Sequence, residues 1–294
     1  MNMGNMPPLS SLENGSTSKA AERPVLLIGP RKGWLDLDLR SIYAYRELLF
    51  FLAWRDVQVR YKQALIGAGW VVLQPLLTMV VFTVIFGMFA KMPSDGLPYP
   101  IFTYAALLPW SYFSQALTQS STSVVRNSGL VTKVYFPRLI MPIASTIAPL
   151  VDFAVAFVIL LGMMVWYGVT PTWGLLALPL FLLLVMMTAL AACLFLSPLN
   201  VQYRDVGYAI PFLVQIWMYA SPVVYSVHIV PEKWRALYGV NPMVGAIEGF
   251  RWALLGKDHP DFRVMAMSAV ALIVLLFAGL VFFRRMERTF ADVI

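Results

Sequence analysis

Charged residues divide the chain into long apolar intervals. No Asp, Glu, Lys or Arg occurs in residues 63–90, 96–125, 206–231 or 264–283. A transmembrane helix needs about 20 consecutive apolar residues, so each interval is long enough for one. A fifth interval, 139–203, contains only Asp152 and is divided by a turn-forming run at 168–171. The pattern predicts six membrane-spanning helices, near residues 66–89, 101–125, 140–168, 174–199, 207–228 and 264–283.

The composition supports a membrane protein. The chain is 60% hydrophobic and 13% charged, with a mean hydropathy of +0.72. A soluble domain is about 45–50% apolar and about 25% charged, so a soluble globular protein is excluded. The single cysteine, Cys193, leaves no disulfide framework, and neither His228 nor His259 has a second metal ligand at a useful spacing. We therefore expect an all-α integral membrane protein with no metal and no cofactor in this chain.

The basic residues orient the predicted spans. Six spans place both termini on one side, and of the 22 Lys and Arg residues 16 would lie on that side and 6 on the other. An excess of Lys and Arg marks cytoplasmic loops, so both termini are predicted to be cytoplasmic. The net charge of +7 follows from the same asymmetry and needs no nucleic-acid partner.

The region before the first span has two predicted parts. Its start is rich in Ser and Asn and lacks the apolar core of a secretory signal, so residues 1–30 are expected to be a disordered cytosolic tail. Residues 31–63 form a cytosolic segment, followed by a six-span domain at 64–294. Within 43–63, charged residues alternate with an apolar set: Leu48, Phe51, Leu52, Trp54 and Val59. A basic amphipathic helix of this kind is typical of the headgroup plane of a membrane, and a soluble helix packed on a partner is the alternative.

The cytoplasmic loop at 126–142 is predicted to contain one or two helical turns between Asn127 and Phe136, ended by Pro137. Its apolar residues are expected on the water side: Leu130, Val134, Tyr135 and Phe136. Exposed apolar residues there favour a docking surface, and a loop that lies against the bilayer is the alternative.

The outer segment at 229–263 is predicted to hold two short helices. The first covers 231–238, and the second begins with Asn241 as N-cap and Pro242 at the first helical position and ends near Gly256. Within the second helix, Glu248 and Arg251 are spaced to form an ion pair. This helix is too short to cross a membrane, so it should dip into the outer leaflet or cap a translocation path.

Asp152 is the one ionisable residue inside the predicted spans. A charge at the bilayer centre costs about 2.5–3.5 kcal/mol on insertion scales, so it should face protein or water. It is either a proton-coupling or gating carboxylate, or a structural carboxylate that is paired to a neighbouring span or protonated in place.

Two stripes of aromatic and amide residues recur at helical spacing. The stripe in the first span contains Trp70, Gln74, Thr78, Phe82 and Phe86. The stripe in the fifth span contains Tyr208, Phe212, Gln215 and Tyr219, with Trp217 and Tyr225 nearby. Rings that cover C–H faces, together with groups that bond to hydroxyls, suit a conduit for sugars. Helix packing and interfacial aromatic belts are the alternative.

Motifs for ATP hydrolysis and for other enzymatic chemistry are missing from the sequence. The Gly-rich stretch at 29–33 lacks the Lys and the hydroxyl of a phosphate-binding loop, so the chain should not hydrolyse ATP by itself. The predicted outer and membrane segments hold no Ser/His/Asp set or paired carboxylates. We expect a transport subunit rather than an enzyme.

Five segments, in order, resemble a known family. They are WRDVQVRYKQALIGAGWVVLQPL (54–76), KVYFPRLIMPIAS (133–145), LNVQYRDVGYAIPFLVQIWMYASPVVY (199–225), NPMVGAIEGFRWALLG (241–256) and ERTFADVI (287–294). The chain resembles the permease subunit of bacterial ABC exporters for O-antigen and related cell-surface polysaccharides over nearly its whole length.

The resemblance implies an ABC exporter permease fold in the bacterial inner membrane. It implies a homodimer with two copies of a separate ATPase subunit that binds ATP and Mg, and a lipid-linked polysaccharide as cargo. Residues 43–63 would be the interface helix, and the first and fifth spans would line the channel. The residues implied for ATPase coupling are Asn127, Leu130, Lys133, Val134, Tyr135 and Phe136. Those implied for the outer gate are Trp234, Tyr238, Asn241, Pro242, Glu248, Arg251 and Trp252.

Other cargoes remain open at this point. A teichoic-acid or capsular polysaccharide exporter would share the mechanism, and a small-molecule or drug ABC exporter would share the superfamily. A secondary carrier would need more polar residues within the membrane.

Overall fold

The computed structural model describes residues 39–62, 67–170, 172–256 and 261–290, and the regular structure within these ranges is helical. The predicted tail at 1–30 and the start of the predicted segment 31–63 lie outside the described residues. The α-helices are α1 (Leu39–Ala44), α2 (Arg46–Lys62), α3 (Gly67–Phe82), α4 (Tyr99–Arg126), α5 (Ser128–Lys133), α6 (Ile140–Ile147), α7 (Pro149–Trp166), α8 (Leu178–Gln202), α9 (Val206–Tyr219), α10 (Glu232–Tyr238), α11 (Pro242–Leu255) and α12 (Phe262–Glu287).

Four helical segments of the described chain are long and apolar enough to cross a membrane. They are Gly69–Phe89, Ile140–Trp166, Trp173–Gln202 and Phe262–Glu287. These segments coincide with the first, third, fourth and sixth predicted spans, which indicates an integral membrane protein. The segment Gly69–Phe89 continues α3 with a π-helical stretch (Thr83–Phe89). The segment Trp173–Gln202 consists of a 3₁₀ turn (Trp173–Ala177) followed by α8.

The second predicted span corresponds to α4, the central helix of the bundle. Its 28 residues would extend about 42 Å, and most of them are buried against α6, α7, α8 and α11. Its second half is rich in Ser and Thr, which lowers its hydropathy. Several of these hydroxyls are paired within the helix, since that of Thr118 donates to Ser114 O (2.8 Å) and that of Ser123 donates to Ser120 O (2.7 Å). Asn200 of α8 donates to the backbone carbonyl of Ser121 at 3.3 Å.

The fifth predicted span is shorter than expected. It was predicted to continue to residue 228, but α9 ends at Tyr219 and residues 220–226 have no helical structure. Pro222 lacks the N–H that would continue the helical hydrogen bonds, and it disfavours a helical conformation at the residue before it. The 14 residues of α9 extend about 21 Å, which is less than the roughly 30 Å of a hydrocarbon core.

One end of the bundle, here called the basal end, is where α2, the α5 loop and the end of α12 pack together. Leu52 and Ala53 of α2 are buried there, against α6. Only part of the predicted apolar side of α2 makes this contact. Leu52 is buried, whereas Phe51 and Trp54 are 64% and 53% exposed. The helix therefore packs on the protein with one side and presents aromatic rings on another.

The opposite end, here called the distal end, is where residues 220–256 pack around the start of α12. Most of α11 is buried, between α4, α8 and α12. Two glycines allow this close approach, since a Cβ at Gly245 would lie 2.6 Å from Ser268 Cβ and one at Gly249 would lie 2.2 Å from Phe181 Cδ1.

Replacement of Gly249 by Ala is expected to lower the thermal stability of the chain. The added Cβ would collide with the ring of Phe181, which is 3% exposed, and overpacking of a core costs about 1–3 kcal/mol. Gly162→Ala in α7 is the matched control, because a Cβ at that position meets nothing within 4 Å. Thermal unfolding in detergent measures both, and equal melting temperatures would contradict the tight seat of α11.

Candidate functional site

Asp152 fastens α2 to the membrane-spanning part of the chain. It lies in the first turn of α7, is 4% exposed, pairs with Arg60 and accepts a hydrogen bond from the Tyr61 hydroxyl. Both partners belong to α2. The sequence left open whether Asp152 is a coupling or gating carboxylate or a structural carboxylate with a partner. The structure shows such a partner, Arg60, which lies on α2 and not on a neighbouring span. Burial and the hydrogen bond to Asp152 raise the pKa of the Tyr61 hydroxyl, which keeps it a donor.

A second carboxylate strengthens the attachment of α2. Asp56 lies 3.4 Å from Arg126 at the end of α4 and accepts a hydrogen bond from Ser145 of α6 at 3.3 Å. Sequence reasoning did not single out Asp56, Arg60 or Tyr61. The spacing of Asp56 and Arg60 suggests a pair within one helix, but the structure turns each of them towards a different neighbour.

The loop predicted to couple to an ATPase is helical only at Ser128–Lys133. The Asn127 side chain donates to Ser123 O (2.7 Å) where α4 ends. Lys133, Val134 and Tyr135 are exposed, the last two by 50% and 57%. Leu130 is half-buried.

Phe136 was predicted to be exposed, and this prediction is wrong. Its side chain is 4% exposed and belongs to the same buried cluster as Phe283 and Phe290 near the end of the chain. Arg138 holds this arrangement, because its backbone N–H donates to Glu287 Oε1 (3.2 Å) and its guanidinium donates to the Glu287 carbonyl. The exposed part of the loop is therefore smaller than the sequence suggested.

The two aromatic stripes differ in exposure. In the first, Trp70 is 54% exposed and Gln74 is exposed, whereas Thr78 and Phe86 are half-buried and Phe82 is 8% exposed. In the second, one side of α9 is open: Tyr208 (86%), Phe212 (63%), Gln215 and Tyr219 (51%). The helices α3 and α9 both pack on α4.

Trp217 lies on the protein side of α9. Its ring centroid is 4.9 Å from that of Phe113, and its Nε1 donates to Asn241 Oδ1 at 2.9 Å. It therefore connects α9 to the start of α11 and does not share the open side of the stripe.

Asn241 caps α11 as the sequence predicted, and it also binds the end of α9. Its Oδ1 accepts from the Met243 N–H, and its Nδ2 donates to Ala220 O (3.1 Å) and Ser221 Oγ (2.9 Å). With the bond from Trp217, all four hydrogen-bonding positions of the amide are used. Gly256 ends the helix with a φ of 64°, which favours glycine.

The predicted ion pair between Glu248 and Arg251 is present, at 3.1 Å. Arg251 is 7% exposed and does more than pair, since it donates to Val223 O (3.0 Å) and Tyr225 O (3.2 Å). Its guanidinium also lies 3.7 Å from the centroid of the Phe102 ring in α4.

The remaining predicted gate residues surround this pair. Tyr238 is half-buried, with its hydroxyl 2.7 Å from that of Tyr225, and Trp252 contacts the Phe181 ring edge-on. Pro242 is buried at the first position of α11, and Trp234 of α10 is 53% exposed.

Together, these features define a helical integral membrane protein with a basal helix, α2, fastened by carboxylates and a distal block of short helices. Residues 47–255 match the ABC-2 type transporter family. The chain belongs to this family, which confirms the resemblance seen in the sequence.

Relatives align over most of their own length. The O-antigen export system permease protein RfbA of Myxococcus xanthus is 30% identical over 253 residues, which cover 85% of this chain and 96% of the relative. A protein of the same name from Klebsiella pneumoniae is 25% identical over 84% of this chain and 95% of the relative. The polysialic acid transport protein KpsM of Escherichia coli is 24% identical over 79% and 91%.

The Asp152→Asn variant is expected to lose stability because Arg60 keeps its charge but loses its partner. Breaking a buried pair costs about 3 kcal/mol at the low end of the range, and Arg60 retains some contact with solvent. Thermal unfolding in detergent would be measured for Asp152→Asn, Arg60→Gln and the double variant, with Lys62→Gln as control in the same turn of α2. The double variant should lose less than the sum of the single variants. Additive losses would contradict the pairing.

Proposed function

We propose that this chain is the channel-forming permease subunit of an ATP-driven exporter that moves lipid-linked polysaccharide of the O-antigen type outward across the bacterial inner membrane. The observation that carries this proposal is the extent of the likeness. The ABC-2 family covers residues 47–255, and a relative named as an O-antigen export permease aligns over 96% of its length.

In the proposed topology the chain crosses the membrane six times, with both termini in the cytoplasm. The four apolar segments account for four crossings. The other two are made by α4, whose length suffices for a crossing, and by α9 together with residues 220–226. The basal end then faces the cytoplasm and the distal end faces outward. The excess of Lys and Arg on the basal side supports this orientation.

Two copies of the chain would form the channel. The open side of α9 carries the polar groups of Tyr208, Gln215 and Tyr219. Such groups are unfavourable against lipid, so this side is expected to face a water-filled path or a second copy. Rings and amides along that path would make weak, repeated contacts with sugars.

Energy would come from a separate ATPase subunit that binds ATP and Mg and docks on the loop at 127–136. Support for this site comes from Lys133, Val134 and Tyr135, which are exposed next to the basal core. Arg138 and Glu287 fasten the adjoining chain to α12, so a push on the loop would reach the spans through packed contacts.

A capsular polysaccharide is the second candidate cargo. The likeness to polysialic acid transport proteins over 79% of this chain favours it over a drug or another small molecule.

Inactivation of the gene for this chain is expected to remove one surface polysaccharide and to leave its lipid-linked precursor on the cytoplasmic side. Surface glycan staining and extraction of lipid-linked glycan measure the two effects, and re-expression of the chain is the control. An O-antigen precursor would support the first candidate and a capsular precursor the second. Unchanged surface and precursor pools would contradict both.

The Tyr135→Glu variant is expected to weaken assembly with the ATPase, because a charge would replace an apolar contact at the docking surface. Tyr203→Glu is the matched control, since Tyr203 is also 57% exposed but lies in the turn between α8 and α9. Co-purification and ATP hydrolysis of the co-expressed complex measure the effect. Normal assembly of the Tyr135→Glu variant would contradict the proposal that the ATPase docks on this loop.

A further inference from the structure

Residues 220–226 follow the last turn of α9, and most of their carbonyl groups are bound by side chains and not by helical backbone bonds. The carbonyl groups at positions 219, 220, 223, 224 and 225 each accept a hydrogen bond from a side chain. Ser221 and Val223 are fully buried and Val224 is 4% exposed. Backbone without regular structure is tolerated at membrane depth only where the protein satisfies it or water reaches it.

Three of the donors belong to other parts of the fold. Tyr99 at the start of α4 donates its hydroxyl to Val224 O at 2.6 Å, Asn241 binds residues 220 and 221, and Arg251 binds residues 223 and 225. These three side chains are here called the clamp. Each is itself positioned by the fold, since a Cβ at Gly87 would lie 2.8 Å from the Tyr99 ring and Arg251 is fixed by Glu248 and Phe102.

We propose that residues 220–226 are a hinged seal at the distal end of the transport path, and that the clamp keeps it closed between transport events. The seal joins α9, whose open side is the proposed channel wall, to the buried helix α11. The role of the seal in transport rests on the proposed function. Whether the clamp keeps residues 220–226 buried can be measured on this chain alone.

The chemistry of the seal also limits what can lie beside it once it opens. When the clamp withdraws, the carbonyl groups lose their donors, and a buried carbonyl without a donor is unfavourable. A simple extension of α9 through the segment is unfavourable, because the Pro222 ring would collide with the Met218 carbonyl and Pro222 disfavours a helical conformation at Ser221. Water or the hydroxyl groups of a polysaccharide can supply donors, whereas a hydrocarbon cargo cannot. The open seal therefore needs water or a hydroxyl-rich cargo beside its carbonyl groups.

A buried cysteine can report on the seal. Val223→Cys places a thiol in the segment, and the native Cys193 is fully buried in α8. The full-length chain in membrane vesicles would be labelled from the distal side with a charged maleimide, and the rate would be measured. Adding Tyr99→Phe removes one clamp bond and should raise the rate by about fivefold, as expected for one lost hydrogen bond.

Tyr104→Phe is the matched control. Tyr104 lies in the same helix and is buried, whereas Tyr99 is half-buried, and the Tyr104 hydroxyl donates to a backbone carbonyl outside the seal, Ala156 O at 3.3 Å. It should leave the labelling rate unchanged. Arg251→Lys keeps the charge opposite Glu248 but replaces the wide planar fork, whose two terminal nitrogens bind the two carbonyls, by a single nitrogen, so it should raise the rate as Tyr99→Phe does. Val224→Cys serves as the reporter if Val223→Cys does not fold.

The proposal is overturned if Tyr99→Phe labels at the parent rate, or if Tyr104→Phe raises the rate equally, which would mean general loosening. Labelling of the isolated chain does not require cargo. Faster labelling combined with unchanged glycan pools after gene inactivation would support the seal and reject the proposed function. Faster labelling with impaired export of a surface glycan would support both.

Discussion

A polar group that leaves water inside a membrane has to find its partner within the protein, because an unpaired group costs several kcal/mol there. Three parts of this chain meet that requirement in different ways. The hydroxyls of Thr118 and Ser123 in α4 bond to backbone carbonyls of their own helix. Asp152 takes a cation and a phenol from α2. Residues 220–226 take donors from α4, α11 and the residue that caps α11.

These polar pairings also connect positions that are distant in the sequence. Arg60 and Asp152 join α2 to α7, Arg138 and Glu287 join the basal loop to the end of α12, and Arg251 joins α11 to the end of α9. The middle of the bundle, by contrast, is one apolar core. These charged contacts thus lie towards the two ends, while the middle is held by apolar packing and a few buried hydroxyl bonds, such as that from Tyr112 to Thr146 O at 2.9 Å.

Local signals were sufficient for part of the fold. Gaps between charges located four spans, and Asn241, Pro242 and Gly256 predicted the bounds of α11, because caps and turns act within a few residues. The end of α9 was missed, because its unwound carbonyls are satisfied by side chains far along the chain. The burial of Phe136 was missed for the same reason, since its neighbours are Phe283 and Phe290. The partners of Asp152 required knowledge of which face of α2 meets α7.

The difference between the two aromatic stripes follows from helix geometry. Residues spaced by four advance about 400° around a helix of 3.6 residues per turn, so each step drifts by about 40°. Three such steps carry the stripe of α3 about 120° around the helix, from the exposed Trp70 to the buried Phe82. The stripe of α9 alternates steps of four, three and four, and this average stays close to the helical period. Its residues therefore remain on one open side from Tyr208 to Tyr219. The proposed channel wall requires such a constant side, which α9 presents along its length and α3 presents only in its basal half.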